Sequence, residues 1–143
     1  MTGWSQSRMP DVSTHTAETA ETALVVEDEW FIRMEMADAL VDAGWTVLEF
    51  ASGEAALAYL SEKPGVDLIV TDIRLGGPIS GWDVAERCRA SCPSAAVIYC
   101  SGNTLDPRRC VKDSIFLSKP CEMSVLMGAV AKLRQHPSGR HDA

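Results

Sequence analysis

Polar side chains that could bind a metal ion or a phosphoryl group follow four separate apolar runs of the sequence. They are Glu27 and Asp28 after residues 23–26, Asp72 after 68–71, Ser101 after 95–100, and Lys119 shortly after 115–117. Three carboxylates in one place repel one another unless a cation compensates, and oxygen ligands of this kind suit Mg²⁺. A carboxylate can also act as a nucleophile and form an acyl phosphate. The set therefore indicates Mg²⁺-dependent phosphoryl transfer to a carboxylate, with a lysine and a hydroxyl to hold the phosphoryl oxygens.

Each of these residues also has an ordinary structural explanation. An Asp after a strand, such as Asp72, is commonly a turn or cap residue, and Asp28 could cap the next helix. Ser101 stands before a glycine and Lys119 before a proline, which suits a turn and a surface charge. A shared site becomes the better interpretation only if the elements bring the residues together.

Short apolar runs alternate with helical patterns between residues 23 and 134. Parallel strands need a connecting helix, so this alternation predicts parallel pairing, and the continuous apolar runs fit strands covered on both faces. We predict an α/β fold, a doubly wound five-stranded parallel sheet with helices on both faces, in which ligands sit at the carboxyl ends of the strands. The predicted helices cover residues 31–43, 52–61 and 82–90, a short fourth helix Pro107–Lys112, and a last helix from Met123.

Composition and charge exclude several classes of protein. The 143 residues fit one domain, and the net charge of −7 disfavours nucleic-acid binding. No apolar run approaches the ~18 residues of a membrane span, and the N-terminus does not resemble a signal peptide. We expect one cytoplasmic domain over residues 23–134, flexible tails over 1–22 and 135–143, and no second domain.

The five cysteines do not suggest a disulfide framework, because an odd count in a cytoplasmic chain argues against one. Cys88 and Cys92 are four residues apart, so they could lie on one helix face and bind a metal ion. The better explanation is that both are small buried residues. No CxxC pair occurs, and the three histidines lie in the predicted tails. We predict five free thiols.

Four segments resemble the receiver domains of bacterial two-component response regulators. They are residues 24–29, 68–75, 97–102 and 116–120, and the resemblance extends over roughly residues 22–134. It implies a flavodoxin-like sheet with strand order 2-1-3-4-5. It also implies a phosphoacceptor that receives its phosphoryl group from a sensor histidine kinase or a histidine phosphotransfer protein. Such a chain signals to a downstream protein by contact or phosphorelay and, apart from autodephosphorylation, is not an enzyme.

The resemblance also assigns roles to residues. Asp72 is the phosphoacceptor, and Glu27, Asp28 and Asp72 hold Mg²⁺ together with the backbone carbonyl of Arg74. Ser101 and Lys119 contact the phosphoryl group. Ser101 also acts with the switch aromatic Phe116, and the Lys119–Pro120 bond is expected to be cis.

Two features depart from the family pattern. Gly76 and Gly77 stand where a Met-Pro or Leu-Pro pair is usual, and the loop they belong to is one residue longer. The stretch from Ser101 to Lys119 is short, so a helix within it can have only about two turns. The surface that commonly carries the output of such domains is therefore expected to be unusual here.

Two alternatives stay open at this point. The chain could be a receiver-like binding module that works without phosphorylation, although the complete set of acids, Ser101 and Lys119 argues against this. It could also be an Mg²⁺-dependent aspartyl phosphatase of the haloacid dehalogenase type. Those enzymes place the nucleophile after the first strand with a second Asp two residues later, whereas this chain has Glu27-Asp28-Glu29 there.

Overall fold

Five parallel strands form the sheet in the computed structural model, which describes residues 21–62, 65–102 and 106–135. Four helices connect or follow the strands. In chain order the elements are β1 Thr22–Val26, α1 Trp30–Asp42, β2 Thr46–Phe50, α2 Gly53–Glu62, β3 Leu68–Thr71, α3 Gly81–Ser91, β4 Ala96–Ser101, β5 Ile115–Ser118 and α4 Met123–Gln135.

The strand order is β2-β1-β3-β4-β5, which confirms the predicted 2-1-3-4-5 sheet. Every neighbouring pair is parallel, and Val26 at the end of β1 is in register with Phe50 of β2 and Thr71 of β3. The strand order reverses at β1, so the connections from β1 and β3 leave on opposite faces of the sheet. Such a reversal leaves a crevice at the carboxyl ends of these two strands.

Alternate side chains along the strands pack into two separate hydrophobic cores, one on each face of the sheet. Leu24 and Val26 of β1 pack on the face covered by α2 and α3. Ala23 and Val25 pack on the face covered by α1 and α4. Because successive strand residues point to opposite faces, burial of both sets explains why the strands are continuous apolar runs.

Local signals fix several helix ends. Gly44, which the sequence predicts as the stop of the first helix, has φ +100° just after α1, and glycine adopts this left-handed conformation without strain. Ser80 begins α3 with a reciprocal capping box, because its hydroxyl accepts the Asp83 N–H while the Asp83 carboxylate accepts the Ser80 N–H. This start sets the position of α3 relative to the end of β3.

The predicted short fourth helix, Pro107–Lys112, is wrong. Residues 106–114 form turns instead, and side chains from elsewhere in the fold hydrogen-bond to backbone groups of this segment. The Tyr99 hydroxyl accepts the Val111 N–H at 3.1 Å, and the Arg89 guanidinium donates to the Lys112 carbonyl at 2.7 Å. The β4–β5 connection is therefore a side-chain-anchored turn segment.

The predicted tails, 1–22 and 135–143, lie outside the described residues except for residues 21, 22 and 135. Thr22 is already part of β1, one residue before the predicted strand. All five cysteines are free thiols, as predicted. Across the described ranges, no helix has the length and apolar character of a membrane span.

Candidate functional site

The carboxyl ends of β1 and β3 bring three carboxylates together. Glu27 and Asp28 directly follow β1, and Asp72 directly follows β3. The Asp72 N–H donates to the Val26 carbonyl at 3.0 Å, which continues the strand pairing up to the acidic residues. One carboxylate oxygen from each of the three residues lies within 4.8 Å of the others. Glu27 and Asp72 are buried, whereas Asp28 is exposed at the opening.

Lys119 directly follows the edge strand β5, and its side chain reaches this acidic group across the carboxyl ends of the strands. Its ammonium lies 2.9 Å from Asp72 Oδ2 and 2.9 Å from Glu27 Oε1. The Lys119 N–H donates to the Ser101 carbonyl at 2.9 Å, so the backbone after β5 is fastened to the end of β4. The Lys119–Pro120 bond is cis, as expected.

Burial and ion pairing set the charge states of Glu27 and Lys119. Burial raises the pKa of Glu27 above its ordinary value, and the contact with Lys119 offsets only part of this effect. Burial alone would lower the pKa of Lys119, but hydrogen bonding and charge attraction from Glu27 and Asp72 outweigh it and raise that pKa. Lys119 is therefore held as a cation between two carboxylates.

The two oxygens of the Glu27 carboxylate have different partners. Oε2 accepts the Glu29 N–H at 3.1 Å. Oε1 is buried and lies 2.9 Å from the Lys119 ammonium, which compensates its charge. A buried carboxylate at this position is suited to binding a cation.

Asp72 is held rigidly. Its Oδ1 accepts the Ile73 N–H at 2.6 Å, and its Oδ2 accepts a hydrogen bond from Lys119. The residue is only 7% exposed. Its backbone carbonyl accepts the Thr71 hydroxyl at 2.8 Å. Both the position and the orientation of the carboxylate are thereby fixed.

The structure places the other predicted residues around this group. Ser101 is buried at the end of β4. Phe116 is half-buried in β5, in register with Tyr99, with the two ring centroids 6.3 Å apart. Arg74 is exposed and lines a cavity of about 580 Å³ with Trp82 and the loop glycines. Glu27, Asp28, Asp72 and Lys119 are thus gathered at one point, with Ser101 on the adjacent strand end.

Two residues of structural importance to the site did not stand out in the sequence. Gly81 lies against the backbone of Asp72, and a Cβ at this position would fall 1.9 Å from the Asp72 carbonyl oxygen. The only signal was a glycine at the start of the third helix. Tyr99 lies in an apolar run, where nothing indicated that its hydroxyl would accept the Val111 N–H.

The response regulator receiver domain is the family whose model matches residues 23–131 of this chain. The chain belongs to the response regulator receiver family. Receiver domains of this kind are parts of two-component systems. The family assignment agrees with the resemblance inferred from the four sequence segments and with the strand order of the sheet.

Individual relatives agree with the receiver assignment. The sensor kinase CckA of Brucella abortus is 34% identical over 117 residues, which cover 78% of this chain but only 12% of that kinase. The response regulator receiver protein CpdR of the same organism is 29% identical over 114 residues, which cover 77% of this chain and 93% of CpdR.

Two solved receiver structures have the same fold. A response regulator receiver protein from Sinorhizobium medicae matches with a TM-score of 0.78 and 34% identity, covering 83% of this chain and 98% of that one. The receiver domain of the hybrid histidine kinase CckA matches with a TM-score of 0.68 and 32% identity, covering 78% of this chain and 96% of that one.

Proposed function

We propose that this receiver domain accepts a phosphoryl group on Asp72 from a phosphohistidine of a sensor histidine kinase or a histidine phosphotransfer protein. The observation that supports this most is the shared contact of Lys119 with the Asp72 and Glu27 carboxylates, 2.9 Å from each. A buried carboxylate beside one fixed cation and two further acids is suited to accept a phosphoryl group. The reaction is expected to take place in the cytoplasm.

Mg²⁺ is the expected cofactor, and the residues fit it. Glu27, Asp28 and Asp72 offer hard oxygen ligands within 4.8 Å of one another, and the buried Glu27 Oε1 already contacts one cation, the Lys119 ammonium. The backbone carbonyl of Arg74 is the further proposed ligand. When bound, Mg²⁺ would neutralise charge on the carboxylates and on the phosphoryl oxygens.

The chain's own residues account for the transfer step. An Asp72 carboxylate oxygen attacks phosphorus, the phosphorus–nitrogen bond of the phosphohistidine breaks, and the imidazole leaves with that electron pair. The Ile73 N–H and the Lys119 ammonium hold the carboxylate oriented. Lys119 and the Ser101 hydroxyl then contact the phosphoryl oxygens. No general base is needed, because a carboxylate nucleophile has no proton that must be removed during the attack.

The surface beside the site supports a protein donor. Trp30 and Phe31, in the first turn of α1, are 64% and 55% exposed and contact each other edge to face, with ring centroids 5.9 Å apart. Met34 is exposed one turn further along. Exposed apolar side chains two residues beyond Asp28 are suited to contact a docked partner, whereas a small phosphodonor would not need them.

Output is proposed to pass through Ser101 and Phe116. A phosphoryl group adds roughly −1.5 to −2 charges at Asp72 and draws the Ser101 hydroxyl and Lys119 toward it. Phe116 is packed near Tyr99, whose hydroxyl anchors the turn segment 106–114. Movement of Ser101 and Phe116 would therefore loosen that segment and change the surface offered to a downstream protein, by contact or phosphorelay.

Mass spectrometry of the intact protein tests the phosphoacceptor assignment. Wild type incubated with acetyl phosphate or phosphoramidate and Mg²⁺ is expected to gain one phosphoryl mass. Asp72→Asn keeps the shape but removes the nucleophile and is expected to gain none, whereas Asp42→Asn, at the exposed end of α1, is expected to label like wild type. Normal labelling of Asp72→Asn would disprove the assignment. Transfer from a panel of phosphorylated histidine kinases then tests the partner class.

A further inference from the structure

Two thiols meet on the side of the sheet that α1 and α4 cover. Cys100 is buried in β4, one residue before Ser101, and Cys121 is half-buried directly after Pro120. The Cys121 thiol donates to the Glu122 carbonyl at 3.7 Å, and it adds to the effect of burial in raising the pKa of the neighbouring Cys100 thiol. Both side chains pack into the same core cluster, and both residues line one cavity. The fold therefore brings two oxidisable sulfur atoms from distant parts of the chain close together.

A cavity of about 360 Å³ opens beside this pair. Its walls include both thiols, and its other lining residues include Ile32, Met36, Met123 and, at an exposed position, Glu35. The volume exceeds the ≈ 30 Å³ that a water molecule takes up in the liquid. A small neutral oxidant such as hydrogen peroxide can therefore reach Cys121 from solvent, whereas Cys100 is buried behind it.

The two thiols differ in reactivity. Burial, with a smaller contribution from neighbouring Cys121, raises the pKa of the Cys100 thiol to about 12. The thiolate is the form that reacts with oxidants, and Cys121 is the more exposed of the two. Cys121 is therefore the thiol that an oxidant from solvent meets first.

The second close pair of cysteines lacks these properties. Cys88 and Cys92 are both buried in or beside α3, and burial raises the pKa of Cys88 to about 12. Cys92 Sγ accepts the Gly65 and Val66 N–H groups at 3.3 and 3.4 Å. Neither thiol lines the cavity beside Cys121, so this pair is an internal control.

We propose that Cys100 and Cys121 form a reversible disulfide on exposure to a peroxide, and that this bond restrains the residues that contact the phosphoryl group. The Cys121 thiolate attacks one peroxide oxygen, the oxygen–oxygen bond breaks, and water leaves after protonation, which makes a sulfenic acid. The Cys100 sulfur then displaces hydroxide from the Cys121 sulfur, and its proton leaves with that hydroxide as water. Two thiols are oxidised and one peroxide is reduced to two waters.

The position of the bond connects it to the phosphorylation site. Cys100 directly precedes Ser101, and Cys121 comes two residues after Lys119. These two backbones are already joined by the hydrogen bond from the Lys119 N–H to the Ser101 carbonyl. A covalent link beside that hydrogen bond would oppose the movement of Ser101 and Lys119 toward a phosphoryl group. This part rests on the proposed function, and we expect phosphorylation of the oxidised protein to be slower by roughly fivefold or more, the lower end of ordinary couplings between sites.

Peptide mapping tests the bond itself without any phosphodonor. The full chain is treated with hydrogen peroxide, remaining thiols are alkylated, and tryptic peptides are sequenced by fragmentation. The expected product joins residues 90–108 to residues 113–132 and has lost two hydrogen atoms. Fragmentation between Cys92 and Cys100 shows which of them is linked. Cys121→Ser is expected to abolish the product, and Cys110→Ser, in the turn segment, is expected to keep it.

Phosphorylation rates then test the coupling. Oxidised wild type is expected to label slowly with acetyl phosphate and Mg²⁺ and to recover with a dithiol reductant, while Cys121→Ser labels at the reduced wild-type rate before and after peroxide. A link through Cys92, or no link, would overturn the thiol-pair proposal. A mapped Cys100–Cys121 bond with an unchanged labelling rate would overturn the coupling. Failure of reduced wild type to label would instead refute the proposed function and leave the mapped bond standing.

Discussion

Gly81 and Asp72 are packed backbone against backbone: a Cβ at Gly81 would lie 1.9 Å from the Asp72 carbonyl oxygen. The Gly81 N–H also donates to the Ile73 carbonyl at 2.8 Å, so the start of α3 is fastened directly to the loop that carries the predicted phosphoacceptor. Only glycine permits this approach.

Gly81→Ala is therefore expected to destabilise the protein and displace the Asp72 loop. Neither backbone can yield easily, so the free energy of unfolding should fall by about 1–3 kcal/mol or more, and labelling of Asp72 should slow. Gly128→Ala is the matched control, because a Cβ there meets nothing within 4 Å in α4 and should raise helix stability by roughly 0.5–1 kcal/mol. Urea unfolding of both variants measures these changes in the free energy of unfolding. Equal stability of the two would show that the close approach is not real.

Lys119→Met is expected to leave Glu27 and Asp72 as uncompensated buried acids. Removing one partner of such a group costs about 3 kcal/mol of unfolding free energy, whereas Lys132→Met, on the exposed side of α4, should be nearly neutral. Because the pKa of Lys119 is raised above 10.5, its stabilising contribution is present below that pH and is lost as the pH rises through the raised value. The stability difference between wild type and Lys119→Met should therefore be large at neutral pH and shrink in strong alkali. A difference that stays constant into alkali would contradict the charge assignment.

Mg²⁺ affinity is expected to fall on acidification at a higher pH than an ordinary Glu would cause. Burial raises the pKa of Glu27 above its ordinary value, and a proton on this carboxylate competes with the metal, so binding at mildly acidic pH should be weaker than at neutral pH. Fluorescence of Trp30, two residues from Asp28, offers a readout. Asp28→Ala should weaken binding at both pH values, and Asp38→Ala, exposed on α1, should not. Normal Mg²⁺-dependent labelling of Asp28→Ala at low Mg²⁺ would remove Asp28 from the ligand set.

Tyr99→Phe is expected to loosen the β4–β5 connection. The substitution keeps the ring but leaves the Val111 N–H without its hydroxyl acceptor, which costs about 1–3 kcal/mol for a buried group and less for one that water can reach. Amide exchange should become faster within residues 106–114 and stay unchanged in β1 and β3. Tyr59→Phe, on α2, should leave this segment protected. Unchanged protection in Tyr99→Phe would show that the hydroxyl does not anchor the turns.

Beryllofluoride, which mimics a phosphoryl group on Asp72, is expected to loosen the same segment if Ser101 and Phe116 transmit the signal. One or two charge-assisted hydrogen bonds supply about 1.5–3 kcal/mol each, less than the ≈ 5.5 kcal/mol needed for a complete reversal of populations. The shift in population should therefore be partial, and amide exchange in residues 106–117 should increase without reaching the rate of a fully unfolded segment. Identical exchange with and without beryllofluoride would eliminate this mechanism, and Asp72→Asn is the control that should not respond.

The order of apolar runs and the residues that end them were enough to predict a parallel sheet with Glu27, Asp28, Asp72 and Lys119 at one edge. The reason is that the carboxyl ends of all strands in a parallel sheet lie at the same edge, so residues that follow different strands in the sequence are brought close together. Strands buried on both faces are also continuous and strongly apolar, so their limits are visible in the sequence. The strand order came from the resemblance of four segments to receiver domains.

The tertiary structure alone decided the features that depend on contacts between distant residues. Residues 106–114 form turns because the Tyr99 hydroxyl and the Arg89 guanidinium bind their backbone, and no local pattern reveals those partners. The contact of Gly81 with Asp72 and the meeting of Cys100 with Cys121 arise in the same way. The raised pKa of Glu27 requires knowledge of its burial. Each of these depends on distance and exclusion of water, which are set when the elements pack and not before.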